Sequence, residues 1–242
     1  MKSSLRIFPT GAELATTLAD DIARRIAGVA SAEHIFSIAL SGGSSPELLY
    51  SLLGDEYADA IPWDFVHVFW GDERCVPPQS AESNYGMARK LFLDKVNIPG
   101  ENIHRMRGEA DPENEARRYS GEISSILPLR DNIPVFDLMI LGIGDDGHTA
   151  SIFPGNTDLF AANSYCAVTS HPVTKQSRLT LTGKVINNSE AAVFIATGRA
   201  KSGIIASIIK ETPESRDYPA SFVRPQYGSL DWFVDEDAAF LL

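Results

Sequence analysis

Four apolar runs in this chain stop abruptly at glycine or charge: "HIFSIALSGG" at 34–43, "DFVHVFWGDER" at 64–74, "VFDLMILGIG" at 135–144 and "AAVFIATG" at 191–198. Each reads as a buried strand, and amphipathic segments alternate with them. Residues 11–28 set Leu14, Leu18, Ile22 and Ile26 four apart on one helical face. A second helix starts at Ser44/Ser45-Pro46-Glu47, with serine as the N-cap and proline in the first turn, and runs to about Leu53. Further helices are expected at 83–95, at 112–127 behind Asp111-Pro112, and at 199–210. Additional strands are expected at 164–170 ("SYCAVTS"), at 178–182 ("RLTLT") and near 230–234. Strands alternating with helices predict an α/β fold, a three-layer open sandwich with a mainly parallel central sheet, Rossmann-like in layout. No repeat and no Gly/Ser linker divides the 242 residues, so one domain spanning 1–242 is expected.

In such sheets ligands bind outside the carboxyl ends of the strands. The exits "SGGSS", "GDER", "GIGDDGH" and "TGRAK" are polar and glycine-rich, and on one edge they would form a single site. The formal net charge of −11 argues against nucleic acid or an anionic membrane as partner. An anionic substrate would therefore need a few cations gathered locally. The N-terminal stretch lacks the apolar core of a signal peptide, and no apolar run is long enough to span a bilayer. Cys75 and Cys166 have neither metal spacing nor a disulfide framework and read as small apolar fillers. A reducing cytoplasm fits these features.

Gly142, Gly144 and Gly147 satisfy G-x-G-x-x-G, the spacing of a dinucleotide-binding turn. Asp145 and Asp146 lie between the second and third glycines and would repel a pyrophosphate. No strand ending in an acid follows at the distance a ribose contact needs. The cofactor reading is rejected, and no metal is assigned, because no His/Cys/Asp/Glu cluster has ligand spacing. The alternative is a proton-transfer loop: histidine is the side chain type suited to exchanging protons near neutrality, and Asp146 would orient the His148 ring or stabilise its charged form. For this pair alone, a histidine capping a following helix with Asp146 as N-cap is the plainer explanation. His148 is nevertheless the one histidine of five on a glycine-rich strand exit; His34, His67, His104 and His171 read as structural. Ser41, Gly42, Gly43 and Ser44 suit a phosphate monoester at a helix N-terminus, or equally a tight strand-to-helix turn. Arg74, Arg178 and Lys201 are the candidate cations for an anion, although each taken singly reads as a surface charge. The acids at 231–237 read as a solvated face.

Together, "SGGSSP", "GDER", "SNYGMARKLFLDKVNIP", "FDLMILGIGDDGHTASIFPG", "RLTLTGKVINNSEAAVFIATGRAK" and "LDWFVDEDAAFLL" resemble the short bacterial type of the 6-phosphogluconolactonase family, in order and over almost the whole chain. The resemblance implies the fold of glucosamine-6-phosphate deaminase and ribose-5-phosphate isomerase. It implies hydrolysis of 6-phosphoglucono-1,5-lactone in the oxidative pentose phosphate pathway, without a cofactor. It also implies His148 as catalytic base with Asp146 beside it, basic site positions at Arg74, Arg178 and Lys201, and "SGGSS" as the sugar-phosphate loop. The expected partner is a small anionic sugar phosphate, and the chain is expected to be a monomer or homodimer. A sugar-phosphate isomerase or deaminase is the nearest rival. That related family carries an acid shortly after the histidine, in a "DGHIAFNEP"-like stretch, where this chain has Ser151 to Phe153. A non-catalytic sugar-phosphate sensor is the second rival, but it has no need of His148 and Asp146 together.

Overall fold

A computed structural model describes residues 2–29 and 34–242. The chain runs β1 (Lys2–Phe8), α1 (Gly11–Val29), β2 (Phe36–Leu40), α2 (Glu47–Asp55), β3 (Val66–Trp70), β4 (Asp72–Arg74), α3 (Asn84–Ala88) and α4 (Pro112–Ile126). After a short hairpin, β5 (Leu129–Arg130) and β6 (Ile133–Pro134), come β7 (Leu138–Leu141), β8 (Cys166–Ser170), β9 (Ser177–Leu181) and α5 (Gly183–Ile186). The chain closes with β10 (Ala191–Ala196), α6 (Ser202–Ile209) and β11 (Ser229–Asp235).

Six strands form the central sheet in the order β1-β11-β10-β7-β2-β3, and every neighbouring pair is parallel. Successive residues of a strand face opposite sides, so a strand covered on both faces must be apolar throughout. Ile38 and Leu40, Leu138 and Ile140, and Val193 and Ile195 turn to a core closed by Leu14, Leu18 and Ile22 of α1 and by Leu49, Tyr50 and Leu53 of α2. Ala39, Met139, Leu141, Phe194 and Trp232 turn to the opposite core, closed by Tyr119 and Ile123 of α4 and by Ile205 and Ile208 of α6. This is the three-layer α/β sandwich expected. Among the described residues no helix is long and apolar enough to cross a membrane.

The structure departs from the sequence reading in several places. Lys2–Phe8 form an edge strand where none was expected. "DFVHVFWGDER" is not one strand: β3 ends at Trp70, and β4 leaves the central sheet to pair with β9 in a separate antiparallel sheet, β4-β9-β8. Residues 83–95 form one α-helical turn followed by wider turns over Arg89–Leu93, not a continuous α-helix. The acids at 231–237 are not all solvated. Asp235 is buried, and its carboxylate accepts from the backbone N–H groups of Gly198 and Ala238.

Candidate active site

Between β2 and β7 the chain reverses its direction of travel across the sheet: β3 lies beyond β2 on one side, and β10 and β11 lie beyond β7 on the other. The loops leaving a sheet at such a point diverge and leave a crevice. Here the crevice is a cavity of about 330 Å³ lined by the β2 exit (Ser41 to Ser45), the β4 residues Asp72 and Arg74, Asn84, the β7 exit (Gly142 to Asp145 with His148 and Ala150), and Lys201 behind β10. All four strand exits named from the sequence meet there.

His148 sits on a loop folded onto itself. Gly144 N–H donates to the His148 carbonyl at 2.9 Å, Gly147 N–H to the Gly144 carbonyl at 3.0 Å, and His148 N–H to Asp146 Oδ1 at 3.0 Å. Gly147 has φ +81°, a left-handed backbone that favours glycine. The same Asp146 Oδ1 lies 2.5 Å from His148 Nδ1. No helix follows, so helix capping does not explain the pair: residues 149–152 form a tight turn closed by a Thr149–Ile152 bridge. Partial burial favours the neutral form of Asp146, but the hydrogen bonds and charge of His148 outweigh it and hold the carboxyl below its ordinary range. An ionised carboxylate only accepts, so it fixes the proton of a neutral His148 on Nδ1 and leaves Nε2 with a lone pair able to take a proton. Phe153 packs against the ring from one side, with centroids 4.8 Å apart.

The β2 exit requires both of its glycines. Gly43 has φ +90°. Gly42 lies so near Asn84 that the Asn84 amide fills the space a Cβ would need. Ser41 Oγ is buried without a partner. Ser45 does not cap α2, as the sequence reading had it; its hydroxyl meets Thr197 N–H, Thr197 Oγ1 and Lys201 Nζ, the last at 3.1 Å. Lys201 is thereby fixed against the serine–glycine loop. Burial lowers its pKa, while Asp145 and Asp235 oppose that shift.

Arg74 reaches the cavity and donates from Nη1 to the Glu82 carbonyl at 2.5 Å. Arg178 does not line it. It stands beside Arg74 as its cross-strand partner in the β4–β9 pair, and burial with the neighbouring Arg74 charge lowers its pKa. Both arginines keep a buried Nε with no partner. The wall also includes Asp72, Asn84 and Asp145, to which the sequence reading assigned no ligand role. The "GDER" exit carried a signal for Asp72, whereas Asn84 sits on no strand exit. The other four histidines are engaged elsewhere: His34 with Asp137, His67 with His104, and His171 with the backbone of its own turn.

The family model described as glucosamine-6-phosphate isomerases/6-phosphogluconolactonase matches residues 9–232. The chain belongs to this family. Within the family it is 39% identical to 6-phosphogluconolactonase of Haemophilus influenzae over 236 residues, which span 97% of this chain and 98% of that protein. The solved structure of 6-phosphogluconolactonase from Trypanosoma brucei superposes with a TM-score of 0.90 at 31% identity, covering 100% of this chain and 99% of that one. A monomeric glucosamine-6-phosphate deaminase, 22% identical, shares the fold with a TM-score of 0.79 over 100% of both chains.

Proposed function

We propose that this chain hydrolyses 6-phospho-D-glucono-1,5-lactone to 6-phosphogluconate in the oxidative pentose phosphate pathway. The observation that carries the reading is that the His148–Asp146 pair and the serine–glycine loop with Lys201 line one cavity. The loop and Lys201 bind the phosphate, where Ser41 Oγ gains the partner it lacks. Holding the remote phosphate orients the lactone for attack. Neutral His148 takes a proton from water at Nε2, and the water oxygen adds to C1 of the lactone. Arg74 stabilises the oxyanion that forms, and Arg178 beside it adds to the local positive charge. As the ring C1–O bond breaks, His148 returns the proton to the leaving oxygen. A lactone is already an activated acyl group, so no covalent enzyme intermediate is needed. The chain acts in the cytoplasm, as a monomer or homodimer, on a small anionic sugar phosphate.

A C1/C2 proton shuttle of the deaminase kind needs a free carboxylate near the sugar. Two carboxylates are in the wall: Asp72, whose Oδ1 accepts from Asn84 Nδ2 and Oδ2 from Ser151 Oγ at 2.7 Å, and Asp145, which faces the Lys201 ammonium, while the stretch after His148, Ser151 to Phe153, adds no third. Turnover of freshly prepared lactone, corrected for spontaneous opening, tests the reading. Ammonia release from glucosamine 6-phosphate without lactone turnover would replace it.

A further inference from the structure

The lactonase reading leaves unused a set of buried polar groups beside the cavity. Glu73, only 2% exposed, gathers four donors on its two carboxylate oxygens. Oε1 accepts from the backbone N–H of Arg74 and of Asn84, each at 2.8 Å, and Oε2 accepts from Tyr85 N–H at 2.8 Å and Ser83 Oγ at 3.0 Å. One buried carboxylate thus ties the β4 exit to the start of α3, two segments ten or more residues apart in sequence. Four donors on a carboxylate leave the joined segments little freedom to shift.

What this fixes at the cavity is Asn84. Its Nδ2 donates to the Asp72 carbonyl at 2.8 Å and to Asp72 Oδ1 at 3.2 Å, so both amide hydrogens are engaged and the orientation of the amide is set. Among the described residues no donor reaches Oδ1, which lies against Gly42 in the cavity wall. The wall therefore presents a neutral group that can only accept, with the Asp72 carboxylate behind it. A deprotonated phosphate or carboxylate oxygen has no proton to offer such a group, and the Asp72 carboxylate beside it disfavours an anion. A ligand hydroxyl does.

We propose that Asn84 accepts a hydrogen bond from a sugar hydroxyl of the bound ligand, and that Glu73 is the positioning residue that holds it there. This rests on the sugar-phosphate reading of the site. Affinity for two probes separates the roles: 6-phosphogluconate, which carries phosphate and hydroxyls, and inorganic phosphate, which carries no sugar. Asn84→Ala is expected to weaken 6-phosphogluconate about three- to tenfold, the worth of one neutral hydrogen bond, and to leave inorganic phosphate within about twofold. Glu73→Gln offers fewer acceptors to the same four donors and is expected to give the same selective loss. The double variant should lose no more than either single one, because both changes remove one contact. Where Glu73→Gln fails to fold, Glu73→Asp, which keeps two oxygens on a shorter arm, should bind 6-phosphogluconate more weakly than the unmodified chain but more tightly than Asn84→Ala. Equal losses on both probes, no loss on either, or additive losses in the double variant would overturn the proposal. Failure of the underlying reading looks different. The unmodified chain would then bind 6-phosphogluconate no better than inorganic phosphate, which removes the sugar contact as well.

Discussion

His148 has a single proton to manage, and Asp146 decides which nitrogen carries it. Removing the ring should leave binding in place and remove proton transfer. His148→Asn is expected to lower kcat, corrected for spontaneous opening, by roughly 10²–10⁴-fold while leaving the affinity for 6-phosphogluconate nearly unchanged. A near-normal corrected kcat would take His148 out of the mechanism. Lys201 permits a test by charge and by pH. Its pKa is lowered by burial, so the ammonium proposed to hold phosphate is lost at a lower pH than an ordinary lysine would lose it. Affinity for 6-phosphogluconate should therefore fall on the alkaline side below the usual lysine range, and Lys201→Arg should move that fall to higher pH. Lys201→Met should weaken 6-phosphogluconate but barely change turnover of neutral gluconolactone; an equal loss on both would assign Lys201 to the carbonyl. His148, Arg74 and Lys201 were legible in sequence because each follows an apolar run. Asn84 was not. Its importance comes from burial against Asp72 and Gly42, contacts between segments far apart in the chain.

The loop from Gly142 to His148 is held from outside as well as from within. Tyr218 lies against Gly147, where a Cβ would come within 2.6 Å of the Tyr218 ring, and Ala220 N–H donates to the Gly147 carbonyl at 3.0 Å. Tyr218 and Ala220 thus buttress the histidine loop. Gly147→Ala meets both a left-handed φ and this ring, a strain of about 1–3 kcal/mol. That is expected to lower Tm by roughly 2–12 °C and to reduce kcat more than phosphate affinity. Unchanged Tm and kcat, read by calorimetry and the lactone assay, would mean that the loop accepts the side chain freely. Buried parallel strands were easy to read because both faces are covered and the runs are apolar throughout. β1 escaped because it is an edge strand with Ser3, Ser4 and Arg6 among its residues. β4 escaped because its three residues, Asp72 to Arg74, continue β3 in sequence while pairing with a different sheet. Nothing in local pattern marks that change of partner.

Across the whole molecule a net charge of −11 opposes any anionic ligand, and Lys201 and Arg74 answer it at the cavity, with Arg178 beside Arg74. A dinucleotide would need more than these cations. It would need bare amides at the G-x-G-x-x-G turn and a helix N-terminus behind them. Gly144 and Gly147 N–H are instead bonded within the loop, no helix follows it, and Asp145 stands in the cavity wall. A divalent metal would need a cluster of ligands, and among the described residues no three His, Cys, Asp or Glu side chains come together to form one. Chelator-treated, nucleotide-free protein is therefore expected to hydrolyse the lactone at the full rate, and calorimetry with NAD or NADP should register no heat of binding. Activity that vanished on chelation and returned with a divalent ion would replace the histidine-and-water mechanism with a metal-bound nucleophile. Tight binding of either dinucleotide would require the loop to unfold its internal hydrogen bonds, and so would overturn the fold-level reason for placing His148, and not a cofactor, over the serine–glycine loop.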